Sequence, residues 1–198
     1  MPIKLAAVIL AGGKSARYKG NKLLSPHPSG QTLIEYVLAQ YAPLCDFPPV
    51  VVTGCYHDEI SARLTHKHCA VVYNPHWSQG MGKSIARGIY ALQRGVVHGK
   101  PSHVIIGTGD APAITTQSLA ELVLQANKTP KQRIASEVSG RRMSPAIFPA
   151  TDFGALAELS QDKGATALLH SGSRCIGVAH AQAQWDIDTP DDWLIMHR

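Results

Sequence analysis

A chain of 198 residues, 44% hydrophobic and 17% charged, has an ordinary globular composition and can bury a core without disulfide or metal staples, which excludes a wholly disordered polymer and predicts one domain over 1–198. The net charge is +5, but Arg141-Arg142 is the only adjacent basic pair, so the excess reads as serving small anionic ligands rather than nucleic acid. Four cysteines without a C-x-x-C pair, no secretory signal and no apolar stretch of membrane-spanning length set the expectation of a cytoplasmic protein with reduced thiols and no membrane partner.

The first apolar run, residues 5–10, reads as a buried strand. It leads directly into Leu10-Ala-Gly-Gly-Lys-Ser-Ala-Arg-Tyr-Lys-Gly-Asn-Lys22. Gly12, Gly13 and Gly20 permit tight turns and close backbone approach, and the N–H groups of such a loop form an anion-binding concavity. Lys14, Arg17, Lys19 and Lys22 add positive charge, the combination a triphosphate requires. A solvated basic loop is the competing reading; the position after the first strand of an α/β pattern favours phosphate. Neither Gly13-Lys14-Ser15 nor Gly82-Lys83-Ser84 is a Walker A loop, because Val8 and Trp77 stand where the first glycine belongs.

Thr32 and Glu35 have capping-box spacing ahead of a helical Leu33/Val37/Leu38/Tyr41 face. Residues 50–53 and 70–73 read as further strands. Asn74-Pro-His-Trp-Ser-Gln-Gly-Met-Gly-Lys-Ser84 then places glycines before an Ile85/Ile89/Leu92/Val96 stripe, a helix N-terminus suited to an anion or ribose hydroxyl; a plain glycine-rich turn competes. Strand 104–107 ends in Gly-Thr-Gly-Asp110-Ala-Pro112. This puts a carboxylate at the carboxyl edge of the sheet, where one or two carboxylates suffice for a phosphate-bound Mg²⁺. The competing role for Asp110 is capping the turn before the next helix, whose stripe is Ile114, Leu119, Leu122 and Val123, entered through Thr115-Thr116.

The pattern then loosens. Residues 133–137 and 146–148 read as strands around Ser139-Gly140, 153–159 and 164–170 as helical, 174–178 as a late strand, and 189–196 as a helix with Pro190 in its first turn. Asp186 and Asp188 alternate along a strand-like stretch and so share a face. With Asp110 they suggest a second metal ligand, whereas Asp188 or Thr189 alone reads as a helix cap. Trp77, Trp185 and Trp193 read as packing residues, and His66, His68 and Cys69 as a poor candidate for zinc. Strand–helix alternation predicts an α/β fold, three layers α/β/α around a mostly parallel central sheet.

From Ala6 to Trp193 the chain resembles the molybdenum-cofactor nucleotidyltransferases, the MobA-like group with cytidylyl and guanylyl branches. The matches run in order: the loop from Leu10 to Leu24, with one extra residue between Arg17 and Gly20; Asn74, Trp77, Gly80, Met81 and Ser84; Asp110 and Pro112; Gly140, Pro145 and Phe148; Gln161 to Leu169; and Asp186 to Asp192. Met143-Ser144 before Pro145, and Thr166 where an arginine is common, depart from the pattern in the half expected to hold the acceptor.

The resemblance implies a Rossmann-like nucleotidyltransferase (nucleotide-diphospho-sugar transferase) fold. It implies attack by an acceptor phosphate on the α-phosphorus of a nucleoside triphosphate, with loss of pyrophosphate. It assigns Lys22, Arg17 and Asp110 to catalysis; Leu10, Ala11, Gly12, Gly13, Lys22, Gly80, Ser84 and Asp110 to the nucleotide; Asp110 and Asp188 to Mg²⁺; and Met81, Gly82, Ser144 and Pro145 to the acceptor. That acceptor would be of molybdopterin type, with a molybdoenzyme or its chaperone as a protein contact. Gly12 is guanylyl-like and leaves room for a purine, while the Gly80–Ser84 turn and the Asp186-Ile-Asp188 ending are cytidylyl-like and favour CTP. The alternatives are a guanylyl or sugar-phosphate transferase on the same scaffold, a glycosyltransferase, and a non-catalytic nucleotide-binding protein.

Overall fold

Seven strands assemble into one sheet in a computed structural model that describes residues 1–160, 164–170 and 174–196. The strands are β1 Leu5–Ala11, β2 Val50–Thr53, β3 Ala70–Tyr73, β4 His103–Thr108, β5 Arg133–Val138, β6 Arg141–Pro149 and β7 Cys175–Ala179, in the order β3-β2-β1-β4-β6-β5-β7. All pairings are parallel except those of β6, which runs antiparallel to both β4 and β5.

The helices are α1 Leu33–Tyr41, α2 His57–Leu64, α3 Met81–Gln93, α4 Thr116–Lys128, α5 Phe153–Ala157, α6 Thr166–His170 and α7 Asp192–Met196. Strand β1 is buried along its whole length and divides the core. Leu5, Ala7 and Ile9 pack with α1, α2 and α4, while Ala6, Val8 and Leu10 pack with α3, α5 and α6. The two faces of one strand thus each receive a helical layer, as its unbroken apolar run requires. No helix among the described residues is long and apolar enough to cross a membrane.

Local chemistry explains where the elements begin. Glu35 reaches back to the Thr32 N–H (3.0 Å) and hydroxyl (2.7 Å) at the start of α1. The same carboxylate, only 6% exposed, receives Arg63 (2.7 Å) and Lys67 (3.1 Å) from α2 and the turn after it. Burial alone would raise its pKa, but the two Thr32 hydrogen bonds and the two cations outweigh that and hold it at about 2. The folded value lies below the unfolded one, so this stabilisation is complete above about pH 4.5 and disappears as pH falls toward 2. Urea unfolding should show Glu35→Gln less stable than wild type by roughly 2–3 kcal/mol at pH 7, with the gap mostly closed near pH 2. An equal gap at both pH values would contradict the assignment.

Helix α3 lies close on the sheet because Gly88 faces it. A Cβ there would come within 2.6 Å of Val8 Cγ1 and 3.0 Å of Val52 Cγ2, both on stiff β-branched side chains. Gly88→Ala should therefore lower stability by about 1–3 kcal/mol despite alanine's better helix propensity, as read from the urea midpoint. A stabilised variant would show that α3 has room to move.

Several expectations need correction. Strand β6 is much longer than 146–148, because β4 and β5 pair with it on either side. Helix α3 stops at Gln93, so Val96 leaves the apolar stripe and is 41% exposed, and Val97 is buried instead. The last helix begins at Asp192 rather than 189, leaving Pro190 outside it. From its first turn the Asp192 carboxylate reaches back to accept the N–H groups of Asp188 (2.8 Å) and Thr189 (2.7 Å), a contact in which the Asp188 side chain takes no part. Trp77 and Trp193 pack half-buried, but Trp185 is 43% exposed. Residues 161–163 of the matched 161–169 segment lie outside the described residues.

Candidate active site

The strand order reverses between β1 and β4, and ligands of open α/β sheets bind in the crevice beyond the carboxyl ends at such a point. Here the crevice comprises three cavities that share lining residues. The first, about 240 Å³, is lined by Leu10, Ala11, Gly13, Arg17, Lys22, Asp110 and Asp188, among others. The second, about 410 Å³, adds Gly12, Trp77, Gly80, Met81, Ser84 and Thr108. The third, about 220 Å³, has Met81, Thr108, Met143, Ser144, Pro145 and Asp186 in its wall. The residues expected to serve phosphate, nucleotide and acceptor therefore fall into adjoining compartments. Gly82 is the exception, being buried in the first turn of α3 and absent from these linings.

The glycine loop is held from below. Gly54 follows β2 and has no space for a side chain: a Cβ would lie 2.5 Å from the Gly12 carbonyl and from Trp77 Cβ. Cys55 donates its N–H to the Gly12 carbonyl (3.2 Å), and the Tyr56 hydroxyl donates to the Lys14 carbonyl (3.2 Å). A Cβ on Gly12 would lie 3.2 Å from Ser84 Oγ and 3.6 Å from Trp77 Cβ. A methyl there thus presses on the wall of the second cavity rather than projecting into open space. Ser84 Oγ is buried and receives the Asn74 amide (3.1 Å), so the wall is itself braced. Gly80 opens α3 with φ 108°, a backbone angle that suits glycine.

Lys22 is the hub of the first cavity. Its side chain is 12% exposed, and its ammonium lies 2.6 Å from Asp110 Oδ2 and 3.4 Å from Asp188 Oδ1. Burial alone would lower its pKa, but the two carboxylates outweigh that and raise it, so the lysine stays charged. Arg17, largely exposed, meets the other Asp188 oxygen at 2.8 Å. Asp188 reaches this point because the Ile187 N–H donates to the Asp110 carbonyl (2.9 Å), tying the C-terminal segment to the end of β4.

Asp186 and Asp188 do not act on one face of a strand. The segment is irregular, Ile187 is buried between them, and Asp186 lines the third cavity while Asp188 lines the first. Asp186 is exposed as a residue yet crowded by protein. Desolvation there, with the Asp110 charge, pushes its carboxyl up to about 7 against the pull of Lys22. Asp110 Oδ1 is buried and has no hydrogen-bond partner among the described residues. An orphaned carboxylate oxygen beside a second, accessible carboxylate suits a hard divalent cation, which prefers oxygen ligands.

Sequence reasoning missed two contributors and misplaced a third. Thr108 ends β4 and borders two cavities, Gly54 supports the loop, and Asp186 belongs to the third cavity rather than to the Asp110–Asp188 pair. A glycine directly after the buried Val-Val-Val-Thr strand is the one signal that marks Gly54.

A phosphate-suited loop and a carboxylate at neighbouring strand ends of an open sheet are the equipment of a protein that handles nucleotides at its carboxyl edge. The chain belongs to the MobA-like NTP transferase domain family, whose model matches residues 7–178. It is 29% identical over 199 residues to the bifunctional protein GlmU of Francisella philomiragia, covering 97% of this chain and 40% of that protein, so the chain spans less than half of that relative's length. Rv0371c of Mycobacterium tuberculosis has the same fold, with TM-score 0.78, 23% identity and coverage of 98% of this chain and 97% of that one. Its manganese complex gives TM-score 0.75 at 24% identity, covering 98% and 97%. The molybdopterin-guanine dinucleotide biosynthesis protein A of Archaeoglobus fulgidus gives TM-score 0.64 at 19% identity, covering 96% and 95%. The architecture is the nucleotide-diphospho-sugar transferase fold, and the family is one of nucleotidyltransferases.

Proposed function

We propose that the chain transfers a nucleoside monophosphate, from CTP in preference to GTP, to the phosphate of a molybdopterin-type acceptor and releases pyrophosphate. The observation that carries this reading is the position of the Lys22–Asp110–Asp188–Arg17 cluster at the junction of a glycine-walled cavity and a methionine-lined one. Gly12 and Gly13 bring backbone N–H groups close to the triphosphate, and the Gly80–Ser84 turn closes the nucleotide side. Lys22 and Arg17 neutralise charge on the transferring and leaving phosphates, the preorganised stabilisation on which such reactions chiefly depend. Met81, Ser144 and Pro145 shape the acceptor side. The acceptor phosphate is already anionic, so no side chain need act as general base.

Asp110 and Asp188 are the residues that would hold Mg²⁺, with the free Asp110 Oδ1 as one ligand. When bound, the ion supplies Lewis-acid stabilisation of phosphate oxygens. The manganese complex of Rv0371c supports a divalent ion at such a fold.

The choice of base rests on small differences. One methylene-sized change discriminates by about 1–3 kcal/mol. Gly12→Ala should therefore preserve CTP binding and weaken GTP binding further, through pressure on Ser84. Calorimetric titration of wild type and variant with each triphosphate and Mg²⁺ tests both points. Tight GTP binding with no detectable CTP binding would reverse the base assignment.

A further inference from the structure

The β5–β6 hairpin carries a bulge that forms one wall of the third cavity. Ala135 pairs with Ala146, and the next β5 residue, Ser136, pairs with Met143, so Ser144 and Pro145 have no counterparts on β5. They have none on β4 either, where pairing ends at Ile106 opposite Ala146. Extra residues of this kind re-aim a strand beside a site, and here Met143, Ser144 and Pro145 all face the cavity. A side-chain relay takes the place of the missing ladder bonds. The Ser136 hydroxyl donates to the Pro145 carbonyl (2.8 Å) and lies 2.7 Å from Nδ1 of His180. Ser136 is fully buried and His180 nearly so.

The proton positions follow from counting. A hydroxyl has one proton, and a proline carbonyl has none to return. Ser136 spends its proton on Pro145, so Nδ1 of His180 must donate in the second bond. Nε2 then keeps its lone pair, and that atom is buried without a hydrogen-bond partner among the described residues. Burial lowers the His180 pKa, in keeping with an uncharged ring. The backbone of His180 is anchored as well: its N–H donates to the Glu137 carbonyl (3.1 Å), and its carbonyl accepts from Ala183 (3.0 Å), which also lines the cavity.

We propose that His180 is a positioning residue for the acceptor: through Ser136, its imidazole holds the Ser144–Pro145 bulge in the shape that walls the acceptor cavity. This deepens the function proposed above and rests on the third cavity being the acceptor side. The relay reaches none of the nucleotide-side residues, so its loss should appear in acceptor recognition alone.

Three variants test it. His180→Leu removes the Nδ1 donor, Ser136→Ala breaks the relay in the middle, and His180→Asn restores an N–H donor without an imidazole. With molybdopterin as acceptor and CTP as donor, His180→Leu and Ser136→Ala should raise the acceptor KM by roughly tenfold while the CTP KM stays within about twofold, and His180→Asn should recover most of the loss. Methionine-methyl NMR gives a readout that needs no acceptor. The Met143 methyl should shift in His180→Leu and Ser136→Ala and return toward its wild-type position in His180→Asn, with Met1 unmoved. KM values for both substrates rising together, or His180→Asn behaving like His180→Leu, would overturn the relay. So would an unmoved Met143 methyl. A folded wild type that does not use molybdopterin would count against the proposed function, and the methyl shifts would still decide the relay.

Discussion

Asp110→Asn should keep the fold and lower turnover by roughly two orders of magnitude or more, about 3 kcal/mol of transition-state stabilisation. The substitution is isosteric, and the backbone bond from Ile187 to the Asp110 carbonyl does not depend on the side chain, so Asp188 keeps its place. Lys22 also retains Asp188 as a partner. What disappears is the negative charge at the end of β4; with the amide oxygen kept toward Lys22, an NH2 takes the place of Oδ1, the oxygen that has no partner among the described residues. Turnover is to be measured at saturating Mg²⁺ alongside circular dichroism. A folded variant with near-normal turnover would remove Asp110 from the reaction and leave it as a partner for Lys22.

Lys22→Ala should cost about 2–4 kcal/mol in kcat/KM for the triphosphate, the scale of losing a preorganised donor at a developing charge. The lysine is the buried cation of the site, between two carboxylates that its loss would leave facing each other. Arg17 cannot replace it, because it is mostly exposed and meets only the outer oxygen of Asp188. Lys22→Arg should recover part of the charge but little of the geometry, since the planar fork needs room that a 2.6 Å contact does not leave. An unchanged kcat/KM in the alanine variant would contradict the role.

The placement of the glycine loop, Lys22 and Asp110 around the first two cavities was legible because its signals are local. An unbroken apolar run, glycines immediately after it and a carboxylate after the fourth strand each state their chemistry within a dozen residues. The capping box at Thr32 was equally readable, although the larger part of Glu35's role, binding α2, is a long-range contact that spacing does not encode. The wall of the third cavity was less legible because its elements form only against partners. Strand β6 opens with two arginines and contains a proline, both poor strand signals; pairing on either side and a bulge at the proline let it exist. The separation of Asp186 from Asp188 depends on Ile187 docking on Asp110, a contact between residues distant in sequence. Nothing in the sequence links His180, Ser136 and Pro145, because the three meet only once β5, β6 and β7 have assembled.

The central claim is transfer of a nucleotidyl group with loss of pyrophosphate. ³¹P NMR of the purified protein with CTP, Mg²⁺ and molybdopterin tests it most directly, with mass spectrometry of the product. Pyrophosphate should appear in step with an acceptor carrying a cytidylyl group, more slowly with GTP, and not in the absence of acceptor. Neither pyrophosphate nor nucleotidylated product from any of the common triphosphates, with the protein folded and nucleotide bound, would contradict it.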